Sequence, residues 1–204
     1  MTEREKMLAG LLYNPADPEL AEQRARAHRL SRLYARVADD EPSVQTAVLR
    51  ELLGVTGEVP YIEAPLFLDY GINTHFGKNC YVNCNFVCVD VCDVNIGDHV
   101  MFGPNVTLAP PMHPLVADER RYMESAKGGY EGYEYGRPIT IGRDVWLASN
   151  VVVCGGVTIG EECVIGAGSV VTRDIPAHSL AVGNPCRAIR EITDADRMFP
   201  PGLR

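Results

Sequence analysis

The residue in this chain best suited to proton chemistry is His113, set in Pro110-Pro111-Met112-His113-Pro114. An imidazole with an ordinary pKa of about 6.5 is the usual side chain for taking a proton from a hydroxyl near neutral pH, and the flanking prolines stiffen the backbone that carries it. Downstream lie Arg120, Arg121 and Lys127, then Tyr130, Tyr133 and Tyr135 among Gly128, Gly129 and Gly132, a composition that suits either a mobile lid or a solvated insertion. Cys80, Cys84, Cys88 and Cys92 fall at a spacing that matches no zinc finger. The cysteines number seven, an odd count that suits reduced thiols filling small core spaces. His28, His75, His99, His113 and His178 include no close pair, so a three-histidine zinc site is not expected, nor is any other metal.

The elements that must position these residues follow from a six-residue period. Counting from Ile141, the hexads begin at Ile141, Leu147, Val153, Ile159, Ile165, Val171 and Ala177. A second series, four places on, runs Val145, Val151, Val157, Cys163, Ser169 and Ile175. Period six fits neither a helix nor a half-buried strand, but it does fit short flat strands stacked coil on coil in a parallel β-helix. The first residue of each hexad points into a narrow prism. Glycine beside it suits a corner, and nearby Asn or Asp tolerates left-handed backbone angles. The pattern recurs less regularly upstream, at Phe76, Val82 and Cys88 and then Ile96, Phe102 and Leu108, with a two-residue corner insertion between the two sets. It stops for residues 109–138 and resumes at Ile141. An excursion of that length in a compact domain is usually functional, and His113 stands at its root.

Residues 1–57 read differently. A short helix is expected over 2–12, broken by Pro15 and Pro18, and a longer one over about 19–37 with a moderately apolar Leu20, Arg24, Ala27, Leu30, Tyr34 face. Ser43 is expected to cap a third helix running to Leu53, which Gly54 closes. These helices form a cap, residues 58–190 the β-helix, and 191–204 a tail. A chain of 204 residues, 46% hydrophobic, suits one main domain with a small appendage. No run of eighteen apolar residues or N-terminal signal pattern is present, so a cytoplasmic protein is expected. The net charge of −8 argues against general nucleic-acid binding, and any anionic ligand must be met by local basic residues.

The sequence resembles the hexapeptide-repeat sugar O-acetyltransferases of the maltose, galactoside and nodulation group. The resemblance spans nearly the whole chain. It is carried by Lys6-Met7-Leu8-Ala9-Gly10, Tyr13-Asn14-Pro15-Ala16-Asp17, Asp69-Tyr70-Gly71, Tyr81-Val82-Asn83, Pro104-Asn105-Val106-Thr107, His113-Pro114, Gly155-Gly156-Val157-Thr158-Ile159-Gly160 and Gly183-Asn184-Pro185-Cys186-Arg187. It implies a mainly β, left-handed parallel β-helix with a helical cap, assembled as a homotrimer with active sites between subunits. It also implies direct acetyl transfer from acetyl-CoA to a sugar hydroxyl.

Residue by residue, the resemblance makes His113 the general base and the backbone N–H of Ser149 the oxyanion donor. Asp17, Asp69, Tyr81 and Asn83 match acceptor-contacting positions, where carboxylates and amides can hold sugar hydroxyls. Ala167, Thr172, Arg173, Arg187 and Arg190, with Ser149, match positions that bind coenzyme A, and arginines are apt partners for its phosphates. On their own chemistry, Asp17 also reads as a helix cap and Asn83 as a corner residue. Trp146 is expected at a subunit boundary. The chain departs from the galactoside pattern at Val91, at Pro110-Pro111-Met112 and in a longer loop after His113, so the acceptor is the least determined part. A non-sugar acceptor and a non-catalytic binding scaffold are the alternatives, since a fold alone does not establish activity.

Overall fold

The computed structural model describes residues 1–199 apart from Thr56 and Lys127. From Tyr61 onward the chain winds as a three-faced parallel β-helix of about six turns. The first face stacks Tyr61–Ile62, Tyr81–Val82, Met101–Phe102, Trp146–Leu147, Val164–Ile165 and Ser179–Val182. The second stacks Leu66–Leu68, Phe86–Cys88, Thr107–Ala109, Val152–Cys154 and Val170–Val171. The third stacks Thr74–Phe76, Val94–Ile96, Ile139–Ile141 and Thr158–Ile159. Arg187–Glu191 folds back antiparallel on Ser179–Val182 to finish the first face. Three edges result: a first edge between faces one and two, a second between two and three, and a third between three and one.

The expected hexad starts from Ile141 to Val171 are buried, each above its equivalent in the next coil. A side chain of this kind contributes about 1.5–3 kcal/mol on burial, and each coil supplies only a few, so stability accumulates by stacking. Phe76 aligns with Ile96 and Ile141 with Ile159, which makes the upper coil two residues longer, as the Cys88–Ile96 spacing implies. The last expected start, Ala177, does not hold. Ile175 takes the place beside Ile159, and Ala177 is exposed. The turn Thr172-Arg173-Asp174 is tighter than the Gly155-Gly156 turn one coil above, and Asp174 closes it by accepting from the Thr158 N–H at 2.7 Å.

Corners are left-handed, as the Asn and Asp content leads one to expect. Asn85, Asn105 and Asn150 each have φ 60° on the first edge, and Asn85 donates through Nδ2 to Asn105 Oδ1 at 3.0 Å. On the third edge Asn79, His99, Asp144, Glu162 and His178 share that conformation, and of these only Glu162 is of a residue type that seldom adopts it.

The cap contains α1 (Glu3–Leu8), α2 (Pro18–Tyr34) and α3 (Pro42–Leu53). Thr2 and Glu5 form a capping box on α1, and Asp17 caps α2 by accepting from the Glu19 N–H at 3.0 Å. Ser43 does not cap α3. Glu41 occupies the N-cap without a side-chain hydrogen bond, because Pro42 starts the helix one residue earlier and draws Ser43 inside it. Gly54 closes α3 at φ 66°, as expected. Leu30, Tyr34, Leu49 and Leu52 join the same core as Ile62, Leu66 and Leu68, which seats α2 and α3 on the top coils. Met7, Tyr13 and Leu20 form a smaller core with Tyr70, Val91 and Cys92 on the second edge.

The excursion over 109–138 leaves from that second edge and is paired at two places, near its root and near its tip. Pro111–Met112 runs antiparallel to Tyr135–Gly136, and Met123–Glu124 to Tyr130–Glu131. Its root is closed by Arg137 N–H donating to Pro110 carbonyl at 3.1 Å. It is therefore an arm with its own short ladders, and Lys127 within it lies outside the described residues.

Candidate active site

His113 follows Pro111–Met112 directly, so the first ladder of the arm fixes where its imidazole stands. Its ring is half exposed, and Nε2 lies 3.6 Å from Oε2 of Glu134, which is 14% exposed. Glu134 is held from the other side by the N-terminal segment. The hydroxyl of Tyr13, fully buried, donates to Glu134 Oε1. The two backbones also exchange hydrogen bonds, Tyr13 N–H to Glu134 carbonyl at 3.0 Å and the reverse at 3.2 Å. Burial, and then the Glu134 hydrogen bond, push the Tyr13 phenol far above its ordinary range, so it stays protonated and donates.

A second polar group sits beside the first. Arg24 on α2 donates to the Tyr70 hydroxyl at 2.7 Å and to the Pro15 carbonyl at 2.6 Å. Burial pushes Tyr70 up to about 12 against the opposing pull of Arg24. Beneath them Asp90 is fully buried and accepts from the N–H groups of Tyr70 at 2.8 Å and Asn73 at 3.3 Å. Burial outweighs those donors and raises Asp90 to about 6. Val91, next to it, is buried under the cap and points into the small core.

The positions expected to contact an acceptor fall on two edges. Asp69 is on the second edge, the edge of His113, with Oδ1 3.1 Å from Nε2 of His28. Asp17 caps α2 above it. Asn83 is on the first edge, where its Nδ2 donates to the Tyr81 hydroxyl at 3.2 Å and its Oδ1 accepts from the Cys84 N–H at 2.9 Å. Tyr81 stacks on Tyr61 with ring centroids 5.7 Å apart.

The positions expected to hold coenzyme A divide in the same way. Ser149 and Ala167 succeed one another on the first edge, where Gly168 N–H donates to Ser149 carbonyl at 2.9 Å. The Ser149 N–H finds no acceptor among the described residues, so it is free to donate to a ligand. Ala167 is exposed, and space is open beside Gly168. Thr172 and Arg173 are exposed on the second edge, below the arm. Arg187 donates to the Cys186 carbonyl at 2.6 Å, and Arg190 forks onto Asp196 with two bonds of 2.8 Å. An anion approaching Arg190 must compete with that carboxylate.

His113 and Asp69 thus share one edge of the prism, while Ser149, Ala167 and Asn83 share another. The structure gives no contact between the two sets within one copy. Glu134 was not singled out from the sequence, because its partner Tyr13 lies 121 residues away and no local pattern joins them. Among the described residues, Glu161, Glu162 and His178 lie close enough to share an ion, but they are on the third edge and Arg143 bridges both glutamates at 3.0 Å. A groove of about 330 Å³ opens beside the arm, lined by Leu12, Pro114, Met123 and Tyr133 with Arg121 at its margin.

Comparison with known proteins matches two families, Maltose acetyltransferase hexapeptide capping motif over residues 6–57 and Bacterial transferase hexapeptide (six repeats) over residues 138–173. The chain is 41% identical over 199 residues to the galactoside O-acetyltransferase of Escherichia coli (strain K12), covering 98% of this chain and 93% of that one. Among solved structures, a maltose O-acetyltransferase from Clostridium difficile 630 superposes with a TM-score of 0.86 at 42% identity, covering 95% of this chain and 99% of the other. A galactoside acetyltransferase in complex with coenzyme A gives 0.87 at 39% identity, covering 98% and 97%.

Proposed function

Because the chain belongs to the hexapeptide-repeat sugar O-acetyltransferase family, we propose that it moves an acetyl group from acetyl-CoA to a hydroxyl of a maltose-, glucose- or galactoside-like sugar. The observation that carries this reading is the placement of His113, half exposed at the root of a paired arm and backed by a carboxylate. A base of this kind can take the proton of an acceptor hydroxyl as the oxygen attacks the thioester carbonyl. The tetrahedral oxyanion that forms is met by the free Ser149 N–H. Collapse breaks the C–S bond, and the leaving sulfur of coenzyme A takes the proton from the His113 imidazolium, so that coenzyme A departs as the thiol and the neutral ring is restored. No acyl-enzyme is formed.

Since His113 and Ser149 stand on different edges of one prism, the working site is assembled between copies, the second edge of one against the first edge of the next. A homotrimer closes that arrangement with three equivalent sites. Trp146, about half exposed and in register with Met101 and Val164 on face one, then sits at the boundary. Asp17, Asp69, Tyr81 and Asn83 hold the acceptor. Ala167, Thr172, Arg173, Arg187 and Arg190 hold coenzyme A, Arg190 after exchanging Asp196 for a phosphate. All seven cysteines are free, which suits a reducing cytoplasm. No helix among the described residues is long and apolar enough to cross a membrane.

The test is thiol release from acetyl-CoA with glucose, maltose, galactosides and chitin oligosaccharides, beside His113→Ala. Turnover with at least one sugar, reduced about 10²–10⁴-fold in the variant while coenzyme A still binds, is expected. Undiminished turnover in the variant overturns the role of His113, and no turnover with any sugar moves the acceptor outside this class.

A further inference from the structure

Helix α2 grips the second edge with two side chains one turn apart. Arg24 donates to the Tyr70 hydroxyl at 2.7 Å, and His28, four residues on and on the same face of the helix, has its Nε2 3.1 Å from Oδ1 of Asp69. Asp69 and Tyr70 are consecutive, so each has its own partner on the cap. The His28 ring is held from a second side by Phe67, with centroids 4.6 Å apart and planes at 38°. Phe67 precedes Asp69 by two residues and points outward from the second face. A carboxylate oxygen can only accept, so Nε2 carries the hydrogen of this bond. The side chains of His28 and Asp69 are 28% and 17% exposed, sheltered by the cap yet open to the edge that bears His113. The Asp69 N–H is spent on the Cys88 carbonyl at 3.1 Å, and among the described residues its Oδ2 accepts no hydrogen bond. One carboxylate oxygen is committed and the other is left over.

We infer that His28 is a positioning residue for acceptor recognition, holding Oδ1 of Asp69 so that Oδ2 is the oxygen offered to a sugar hydroxyl. The inference rests on the acetyl-transfer reading, in which Asp69 holds the acceptor, and adds the group that decides how it does so. A carboxylate free to turn about its side-chain torsions can follow several hydroxyls of a bound sugar. One whose Oδ1 is tied to a ring wedged on Phe67 offers a fixed direction, and holds only the hydroxyl that lies along it. An acceptor bound in a single orientation presents a single hydroxyl to the base, which is where orientation gains rate and selectivity together. His28 exchanges no proton with the substrate and acts only through Asp69. The helical cap is therefore part of the acceptor site as well as of the core, since the residue that aims Asp69 comes from α2, 41 positions away in sequence.

Two substitutions separate the hydrogen bond from the packing. His28→Phe keeps a ring against Phe67 and removes the donor, whereas His28→Gln keeps an N–H donor at similar reach. With the sugar that the parent turns over best, His28→Phe is expected to raise the acceptor KM about 10-fold while the KM for acetyl-CoA stays put, and His28→Gln to recover most of that loss. The preference of the parent among the sugars of the panel is expected to narrow in His28→Phe. Asp69→Asn tests the underlying reading, and in the double variant with His28→Phe the two effects on acceptor KM are expected to be far from additive, because one acts through the other. A rise in acceptor KM in Asp69→Asn with none in His28→Phe overturns the inference and leaves the reading standing. No change in either variant removes Asp69 from the acceptor site and the inference with it. A fall in melting temperature with both KM values and kcat disturbed together makes His28 a structural contact only. If no sugar is turned over, calorimetric titration of the same sugars onto parent and His28→Phe takes the place of KM, and an equal affinity, or none for either, overturns the inference.

Discussion

The second and third edges of the prism carry similar inventories of titratable side chains and use them in opposite ways. On the third edge Arg143 reaches Asp144 at 2.8 Å and Glu161 and Glu162 at 3.0 Å, with His178 3.4 Å from Glu162, all of them substantially exposed. On the second edge Tyr13, Tyr70 and Asp90 are buried, and their partners Glu134 and Arg24 are at most partly exposed. Water supplies most of what the first group needs, so each of its pairs is worth little. In the second group each polar atom depends on a particular protein partner, and losing one leaves another unsatisfied. What separates them is the cap and the arm, which cover the second edge and leave the Arg143 cluster of the third exposed. Charge composition alone does not mark a site; cover does.

That contrast can be broken by measurement. The largest effect is expected from Tyr13→Ala, which empties a fully buried aromatic position and strips Glu134 of its donor. A loss of about 3–5 kcal/mol in urea unfolding is expected from large-to-small core replacement, and a loss below about 1 kcal/mol means the junction is not part of the folded core. Next comes the pH dependence of Asp90. Its pKa is raised from 3.8 to about 6, so the native state binds that proton more tightly than the unfolded chain does. The stability this proton brings is present below pH 3.8 and is lost as pH rises through about 6. Unfolding of the parent and of Asp90→Asn between pH 4 and 7 is therefore expected to diverge in favour of the variant as pH rises, by on the order of 2–3 kcal/mol. Parallel curves contradict the burial argument. The smallest effect belongs to the third edge, where Arg143→Ala is expected to leave the melting temperature unchanged within error at moderate salt. A clear fall there makes the exposed ladder a structural device and removes the contrast.

Much of the scaffold was legible because its physics is local and repeated. Ile141 through Val171 could be placed inside the prism from spacing alone, and the longer upper coil could be seen in the Cys88–Ile96 step. The reading failed where a short-range detail outweighed the repeat, at Ala177, displaced by the tight Thr172-Arg173-Asp174 turn, and at Ser43, displaced by Pro42. His113 was visible as a stiffened histidine at the root of an excursion. Glu134 was not, because an isolated glutamate in a Tyr- and Gly-rich segment has no periodicity to mark it.

The sequence by itself determined the β-helix, its cap of helices and the place where the repeat is interrupted, since hexad burial, helix caps and prolines act between neighbours in the chain or between identical coils. Only the tertiary structure decided that the interruption is a paired arm, that Tyr13 meets Glu134 behind His113, and that His113 and Ser149 stand on separate edges. Those relations depend on how far-separated segments are brought together by winding, and a linear order of residues does not contain them until the coils are closed.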